Sequence, residues 1–157
     1  MKLDGRIEIA APAHAVWELI LDPVALAACV PGVQRVEQVD ERTFRGEITA
    51  SVGPLDGLFS FTSTIERAVF PGELVVATVG TDSVTHSPLS ASVSAALETP
   101  APDETTLVYR ATVTVGGRLA ILGEMVLRAT AGLLIGELAK CLRARLEGPA
   151  GGAGSSP

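Results

Sequence analysis

Three kinds of side chain that form nucleophilic triads lie close together between residues 82 and 87. Asp82 and His86 are four residues apart, and a serine follows each of them, at positions 83 and 87. Hydrolases that use such a serine often hold it on a sharp turn with the pattern Gly-x-Ser-x-Gly, which this segment lacks. The sequence therefore favours a solvated loop here over a catalytic triad.

The cysteine and histidine positions do not predict a metal site. Zinc ligands come in pairs a few residues apart, whereas His14, His86, Cys29 and Cys141 are each isolated in the sequence. The two cysteines could form one disulfide, but two cysteines in an ordinary domain do not make a disulfide framework. Free buried thiols in a cytoplasmic protein are the favoured interpretation, because the cytoplasm keeps thiols reduced.

Glu137 is an ionisable residue in an unexpected position. On a helical wheel it lies among the apolar side chains of the C-terminal segment. A carboxylate in such a place can anchor the polar head group of a ligand. It can also lie in solvent, where the apolar stripe runs past the edge of the surface that it covers. The second interpretation is slightly favoured.

Length and composition are typical of one globular domain. The chain has 157 residues, 47% of them hydrophobic and 19% charged. A net charge of −6 and the lack of a basic cluster argue against nucleic acid as a partner. The N-terminus has no signal-like apolar run and no segment is long enough to span a membrane, so a cytoplasmic protein is expected. Residues 1–147 are predicted to form the domain, and the Gly-, Ala-, Ser- and Pro-rich residues 148–157 a flexible tail.

The rest of the chain is organised around one long helix, predicted from Arg118 to Glu147. It follows a glycine pair and stops at Gly148-Pro149, a typical helix end. Most of its apolar side chains gather on one face, which needs a broad partner surface. This face includes Leu127, Leu133, Leu134 and Leu138. Three apolar residues fall instead on the polar face near the helix start: Ile121, Leu122 and Met125.

The preceding chain reads as one strand, two short helices and six further strands. The first strand, Lys2 to Ala10, alternates apolar and charged residues, and Asp22-Pro23 is a helix start signal. Hairpin-length connections, with turns at Gly53-Pro54 and Asp56-Gly57 among others, predict an antiparallel sheet. The fold class is therefore α+β, a seven-stranded curved sheet with helices on one side. The six later strands are predicted at Val33–Asp40, Thr43–Val52, Leu58–Val69, Glu73–Thr81, Leu89–Leu97 and a last strand ending at Val115.

Inward-facing positions of these strands are unusually small for a chain of this length. Alanine or serine stands where leucine or phenylalanine would ordinarily fill a core. Small side chains on both walls allow either close packing of helix on sheet or a cavity for an apolar guest. A cavity is favoured, because a long helix over a curved sheet seldom collapses flat. The small inward positions are Ala50, Ser63, Ala77, Ala91, Ala95 and Ala111.

Four segments together resemble the CoxG family of carbon monoxide dehydrogenase subunits, within the START/Bet v1-like helix-grip (SRPBCC) superfamily. They extend from residue 1 to the C-terminal helix, and the second and fourth are fairly specific to the family. The resemblance implies a helix gripped by a seven-stranded sheet over a hydrophobic cavity. It also implies an accessory role beside molybdenum-containing carbon monoxide dehydrogenases, linking the enzyme to the membrane quinone pool. The segments are Met1-Lys2-Leu3-Asp4-Gly5, Asp22-Pro23-Val24-Ala25-Leu26-Ala27-Ala28-Cys29-Val30-Pro31-Gly32, Val52-Gly53-Pro54-Leu55-Asp56-Gly57-Leu58-Phe59 and Val115-Gly116-Gly117-Arg118-Leu119-Ala120-Ile121-Leu122-Gly123.

On this resemblance we expect a non-catalytic carrier of menaquinone or another lipid, with no covalent cofactor. Tyr109 is expected to donate a hydrogen bond to the head group, and the guest to enter past the second short helix and Pro31-Gly32. The patch of Ile121, Leu122 and Met125 is expected to touch the inner face of the membrane or the partner enzyme. The predicted cavity wall comprises Phe59, Phe61, Ala91, Val93, Ala95, Tyr109, Leu127, Leu134 and Leu138.

Two alternatives stay open. Relatives in the superfamily cyclise or dehydrate polyketides in the same cavity, which requires an acid/base pair inside it. The predicted inward side chains offer only Tyr109 and Glu137 for that task, so a non-enzyme is favoured. The other alternative is an assembly adaptor that has a solid core and binds no ligand.

Overall fold

The computed structural model describes residues 1–147 of the chain. The predicted tail, residues 148–157, lies outside the described residues. The elements follow the predicted order of one strand, two short helices, six strands and C-terminal helices. They are β1 (Lys2–Ile9), α1 (Ala13–Ile20), α2 (Pro23–Ala27), β2 (Val33–Gln38), β3 (Thr43–Val52), β4 (Leu55–Val69), β5 (Glu73–Asp82), β6 (Pro88–Ala101), β7 (Glu104–Val115), α3 (Gly117–Ile121) and α4 (Glu124–Leu146).

The seven strands form one antiparallel sheet in the order β1-β7-β6-β5-β4-β3-β2. Strands β2 to β7 pair with their chain neighbours, and β1 closes the far edge by pairing with β7. The two short helices and α4 pack on one face of this sheet. The predicted α+β helix-grip architecture is therefore confirmed.

The connection between β3 and β4 is tighter than predicted. Gly53 has φ of +59°, which favours glycine, and the chain reverses there and at Pro54. Asp56 and Gly57, predicted as turn residues, instead pair with Ser51 and Ala50 inside the hairpin. A hydrogen bond from the Ser51 hydroxyl to the Asp56 carboxylate ties the two strands together. The prediction of a turn at Asp56-Gly57 was wrong because this pairing begins immediately after the two-residue turn.

The single helix predicted from Arg118 to Glu147 is broken in two. Gly123 has φ of +89° and ψ of 160°, which no α-helical residue adopts, so α3 ends at Ile121 and α4 begins at Glu124. The last amides of α3 make short-range bonds, from Leu122 N–H to the Leu119 carbonyl and from Gly123 N–H to the Ala120 carbonyl. We call Leu122–Gly123 the elbow.

The two cysteines, predicted as free thiols, form a disulfide. Cys29 follows α2 and Cys141 lies in the last third of α4, with 5.3 Å between their Cα atoms. The prediction failed because the two residues are 112 positions apart, and only folding brings the segment after α2 next to α4. A disulfide is uncommon in a reducing cytoplasm, and the cytoplasmic location stays a prediction. No helix within residues 1–147 has both the length and the apolar character to cross a membrane.

The closed hydrophobic core occupies one end of the sheet. It joins the end of β1, helix α1, the paired residues Leu97 and Leu107 of β6 and β7, and the C-terminal part of α4. Ile9, Val16 and Leu142 are almost completely buried there. The opposite end, under α3 and the first half of α4, is packed less fully.

Candidate functional site: an apolar cavity beside the elbow

A cavity of about 290 Å³ lies between the sheet and the helices α3 and α4. It occupies the end of the sheet where β3, β5 and β7 end and β4 and β6 begin, close to the elbow. Its surface is entirely apolar. The wall is formed by Met1, Ile48, Ala50, Val52, Phe59, Ser60, Phe61, Thr78, Gly80, Thr81, Leu89, Val113, Val115, Leu119, Leu127, Thr130, Ala131 and Leu134.

The hydroxyl groups of the wall residues are either bonded within the protein or on exposed side chains. Thr130 donates to the Val126 carbonyl 3.1 Å away on its own helix, and Thr78 shares a hydrogen bond of 2.7 Å with buried Ser63. Ser60 and Thr81 are paired with each other across β4 and β5 and have exposed side chains. Among residues 1–147, every buried side-chain nitrogen or oxygen has a hydrogen-bond partner. The cavity therefore offers a guest apolar contact and no waiting donor or acceptor.

The nine predicted wall residues divide between the cavity and its surroundings. Four line the cavity: Phe59, Phe61, Leu127 and Leu134. Three pack against the closed core at the other end of the sheet: Ala95, Tyr109 and Leu138. Ala91 and Val93 are on the same face of β6 as Leu89 but are not part of the wall. Whether any of these residues binds a ligand stays a prediction.

Tyr109 lies outside the cavity wall and packs against the closed core. It is paired with Gly5, and a Cβ atom on Gly5 would lie only 2.4 Å from the Tyr109 hydroxyl oxygen. The ring therefore lies over Gly5, which explains why a glycine stands in an otherwise regular strand. Burial, followed by the nearby Asp4 carboxylate, raises the pKa of Tyr109. The expected hydrogen bond from Tyr109 to a head group inside the cavity does not fit this position.

The entrance predicted at α2 and Pro31-Gly32 does not fit the structure either. No residue of α2 lines the cavity, and the disulfide joins the end of this segment to the C-terminal part of α4. Gly32 is held firmly, because its carbonyl accepts from the Thr49 amide at 2.8 Å and from the Gln34 side chain at 3.0 Å. The cavity instead lies beside the elbow, where Leu122 and Val126 approach Gly53.

The elbow patch predicted for docking is only partly exposed. Ile121 is 81% exposed and Met125 is 85% exposed, whereas Leu122 is half-buried because it lies against the β3–β4 turn. Leu133, predicted on the apolar face of the helix, is 74% exposed. It lies about 100° around α4 from Leu134, whose side chain faces the cavity. The exposed apolar surface at the elbow is therefore Ile121 and Met125.

Glu137 lies on the solvent side of α4. Its carboxylate is 3.3 Å from the ammonium group of Lys140, and half of its side chain is exposed. The favoured prediction, that Glu137 lies in solvent, is confirmed. It is not positioned to anchor a head group inside the cavity.

The cluster of Asp82, Thr85 and Ser87 is a structural support and not a triad. The Asp82 carboxylate accepts hydrogen bonds from the amides of Val84, Thr85 and Ser87 and from the Thr85 hydroxyl, at 2.7–3.1 Å. Ser87 Oγ in turn accepts from the Leu119 amide at 3.1 Å, in the first turn of α3. This network fixes the start of α3, and with it the buried Leu119 in the cavity wall.

Stability should fall in acid as Asp82 becomes protonated. Burial alone would raise its pKa, but the hydrogen bonds from Thr85, Ser87 and Val84 outweigh burial and lower the pKa from 3.8 to about 2. A depressed pKa stabilises the fold above the unfolded value of 3.8, and this contribution is lost as the pH falls towards 2. We expect a loss of about 1–2 kcal/mol by pH 2, where about half of the Asp82 carboxyl groups are protonated.

Urea unfolding of the wild type and Asp82→Asn between pH 5 and 2 isolates this contribution. The wild type should have the higher free energy of unfolding at pH 5, and its difference from Asp82→Asn should shrink as the pH falls to 2. Asp103→Asn makes the same substitution in the exposed turn between β6 and β7 and serves as the control for replacing a carboxylate by an amide. A difference between the wild type and Asp82→Asn that stays constant from pH 5 to pH 2 would contradict the prediction.

Sequence reasoning missed most of the cavity wall. The missed residues include Ile48 and Val52 on β3, Val113 and Val115 on β7, and Leu119 on α3. Their alternation marked them as inward-facing, but only the sheet register shows which inward residues lie at the elbow end.

Comparisons with known proteins agree with this geometry. The family model for CoxG, a subunit of carbon monoxide dehydrogenase, matches residues 5–147. No curated protein matches the chain. Among solved structures, a conserved protein from Geobacillus kaustophilus is 21% identical with a TM-score of 0.85, covering 92% of this chain and 94% of that one.

Two further structures share the fold. The Zhui aromatase/cyclase from Streptomyces sp. R1128 is 16% identical with a TM-score of 0.73, covering 99% of this chain and 98% of its own. A START superfamily protein from Mycobacterium smegmatis is 19% identical with a TM-score of 0.67, covering 93% and 97%. At these identities the structures establish the fold alone. The family match over nearly all of the described residues establishes that this chain belongs to the CoxG family of carbon monoxide dehydrogenase subunits.

Proposed function

We propose that this protein is a non-catalytic carrier that binds an isoprenoid quinone, such as menaquinone, in its cavity. In this role it serves a molybdenum-containing carbon monoxide dehydrogenase-type oxidoreductase by linking the enzyme to the quinone pool of the membrane. The observation that carries the proposal is an entirely apolar cavity of about 290 Å³ in a member of the CoxG family. A cavity with these walls favours a guest that gains about 25 cal/mol for each Å² of apolar surface removed from water.

The direct test is native mass spectrometry of the protein purified from its own host, followed by extraction and identification of any bound lipid. A co-purifying quinone or prenyl lipid near one equivalent is the expected result. If the protein is recovered empty, menaquinone is added back. Failure to bind added menaquinone would overturn the carrier proposal in favour of a ligand-free adaptor.

The elbow patch supports a contact with the membrane surface. Ile121 at the end of α3 and Met125 at the start of α4 are large apolar side chains exposed by more than four-fifths, one on each side of the elbow. Such residues gain free energy by entering the interfacial region of a bilayer. They lie at the same end of the molecule as the cavity, so docking there would place the cavity near the lipid from which a quinone is taken.

Replacing both patch residues by serine should weaken membrane binding at least tenfold. Full burial of each side chain in an apolar medium is favourable by about 1.5–3 kcal/mol. Insertion into the interfacial region of a bilayer gives part of this free energy to membrane binding. Flotation with phosphatidylcholine vesicles measures the partition coefficient of Ile121→Ser/Met125→Ser against the wild type. Leu133→Ser is the matched control, because Leu133 is similarly exposed but about two turns further along α4. Equal partitioning of the double variant and the wild type would exclude the patch as the contact.

An enzyme of the cyclase type is the second candidate, favoured by the shared fold with the Zhui aromatase/cyclase. Acid/base chemistry requires a positioned group that can exchange a proton with the substrate. The cavity wall consists of aliphatic side chains, the Met1 thioether and aromatic rings without a hydroxyl, together with four hydroxyl side chains. Two of these hydroxyls, on Thr78 and Thr130, are bonded within the protein, and the side chains of Ser60 and Thr81 are exposed. The carrier is therefore the better-supported function. Turnover of a polyketide by the purified protein would reverse that preference.

A further inference from the structure

We propose that the cavity binds the apolar tail of its guest and leaves the polar head group outside. The inference rests on the proposed carrier function and specifies which part of the guest this chain recognises. It follows from the chemistry of the cavity wall and from the cavity volume.

The polar groups of the wall residues are bonded within the protein or belong to exposed side chains. The Met1 ammonium group donates to the Val113 carbonyl at 2.8 Å. The Thr130 hydroxyl is bonded to the Val126 carbonyl, and the Thr78 hydroxyl is bonded to Ser63, which leaves their methyl groups as wall surface. Ser60 and Thr81 belong to paired strands, with their side chains on the exposed face. Tyr109, the expected donor, lies over Gly5 outside the wall.

A quinone ring inside this wall would lose the hydrogen bonds that its two carbonyl oxygens accept from water. An unpartnered buried acceptor weakens binding by a factor of about ten or more. A prenyl chain has no such loss and gains roughly a factor of four for each methylene removed from water. The wall therefore discriminates in favour of the tail.

The volume limits how much of a tail fits. A water-sized group occupies about 30 Å³, and a methylene is of similar size. A cavity of about 290 Å³ then holds about ten such groups, the carbon count of two isoprene units. We expect affinity to rise with chain length up to about ten carbons and then to level off.

Displacement of a fluorescent apolar dye from the full-length protein tests both parts of the inference. The probes are menadione (a naphthoquinone ring without a tail), the prenyl alcohols of five, ten and fifteen carbons, and menaquinone with two isoprene units. The ten-carbon alcohol should bind within tenfold of the two-unit menaquinone, and menadione at least a hundredfold more weakly. The step from five to ten carbons should gain at least a hundredfold, and the step from ten to fifteen less than tenfold.

The possible outcomes separate this inference from the carrier function. If menadione binds as well as two-unit menaquinone while the alcohols bind weakly, the ring occupies the cavity and the inference is overturned, although the carrier proposal stands. A further gain of a hundredfold at fifteen carbons would overturn the length limit. If no probe binds, including the menaquinone, both proposals fail.

Ala131→Phe provides an independent check, since Ala131 lies in the wall and a phenyl ring there would occupy part of the cavity. In this variant, affinity should stop rising with chain length at about five carbons instead of ten. Ala129→Phe is the control, because Ala129 is exposed on the opposite side of α4. Its chain-length profile should match that of the wild type. An unchanged profile in a folded Ala131→Phe variant would remove this cavity as the binding site.

Discussion

Replacing Cys29 and Cys141 by alanine is expected to lower the free energy of unfolding by about 4–5 kcal/mol. The disulfide joins residues 112 positions apart, so it closes a loop that includes most of the domain and strongly restricts the unfolded chain. A domain of this size has a total stability of about 5–15 kcal/mol, so the loss is a large share of it. The thermal midpoint should fall by about 10–15 °C.

Urea unfolding of the oxidised wild type, the reduced wild type and the double variant measures this effect. The reduced wild type and the double variant should unfold at similar urea concentrations, well below the oxidised protein. Ala28→Ser, at an exposed position beside Cys29, is the control for small changes in this segment and should shift stability by less than about 0.5 kcal/mol. Identical midpoints before and after reduction would mean that the two cysteines are not bonded in solution.

The sheet was largely predictable because strands leave a local signal. In β1, apolar Leu3, Ile7 and Ile9 alternate with charged residues, and the structure buries or half-buries each of the three. The turn residues at Gly53-Pro54 then imply hairpin pairing of neighbours. Short connections between neighbouring strands imply antiparallel pairing. Local sequence patterns were therefore sufficient to predict the fold class.

The break in the C-terminal helix was not predictable from its pattern. Gly123 stands in a stretch without proline that reads as helix on both sides, and an isolated glycine only weakens a helix. Tertiary contacts hold the two sides of the break: Ser87 accepts a hydrogen bond from Leu119 at the start of α3, and Leu122 and Val126 pack near Gly53. These contacts involve segments that are distant in sequence, so no local pattern reveals them.

The presence of an apolar cavity was predicted, but its position in the sheet was predicted only in part. A cavity does lie under the helix, and Phe59 and Leu134 line it, but Ala50 is the only one of the six small inward residues in its wall. Ala95 and Tyr109 have the same inward alternation, yet they lie towards the closed core. Alternation with a period of two shows which face of the sheet a side chain lies on. It does not show which end of the sheet the side chain is near. The position of the space depends on how far α1 and the end of α4 fill the other end of the sheet.

Leu134→Glu is expected to reduce binding of two-unit menaquinone at least a hundredfold. Leu134 is the last of the four residues that α4 contributes to the wall, after Leu127, Thr130 and Ala131. A guest in the cavity would remove the new carboxylate from water without giving it a partner, at a cost of several kcal/mol. The half-buried position is next to existing space, so the fold should tolerate the substitution better than one in the closed core.

Leu133→Glu is the matched control for this change. It introduces the same charge into the same helix one residue earlier, where the side chain is 74% exposed. Dye displacement should therefore give wild-type affinity for Leu133→Glu and greatly weakened affinity for Leu134→Glu, with both variants showing the circular dichroism of the folded protein. Because the two variants share net charge and helix, a difference in affinity isolates the face of α4 that touches the guest. Equal affinities would mean that the guest binds elsewhere on the molecule and that the space under α4 is only a packing defect.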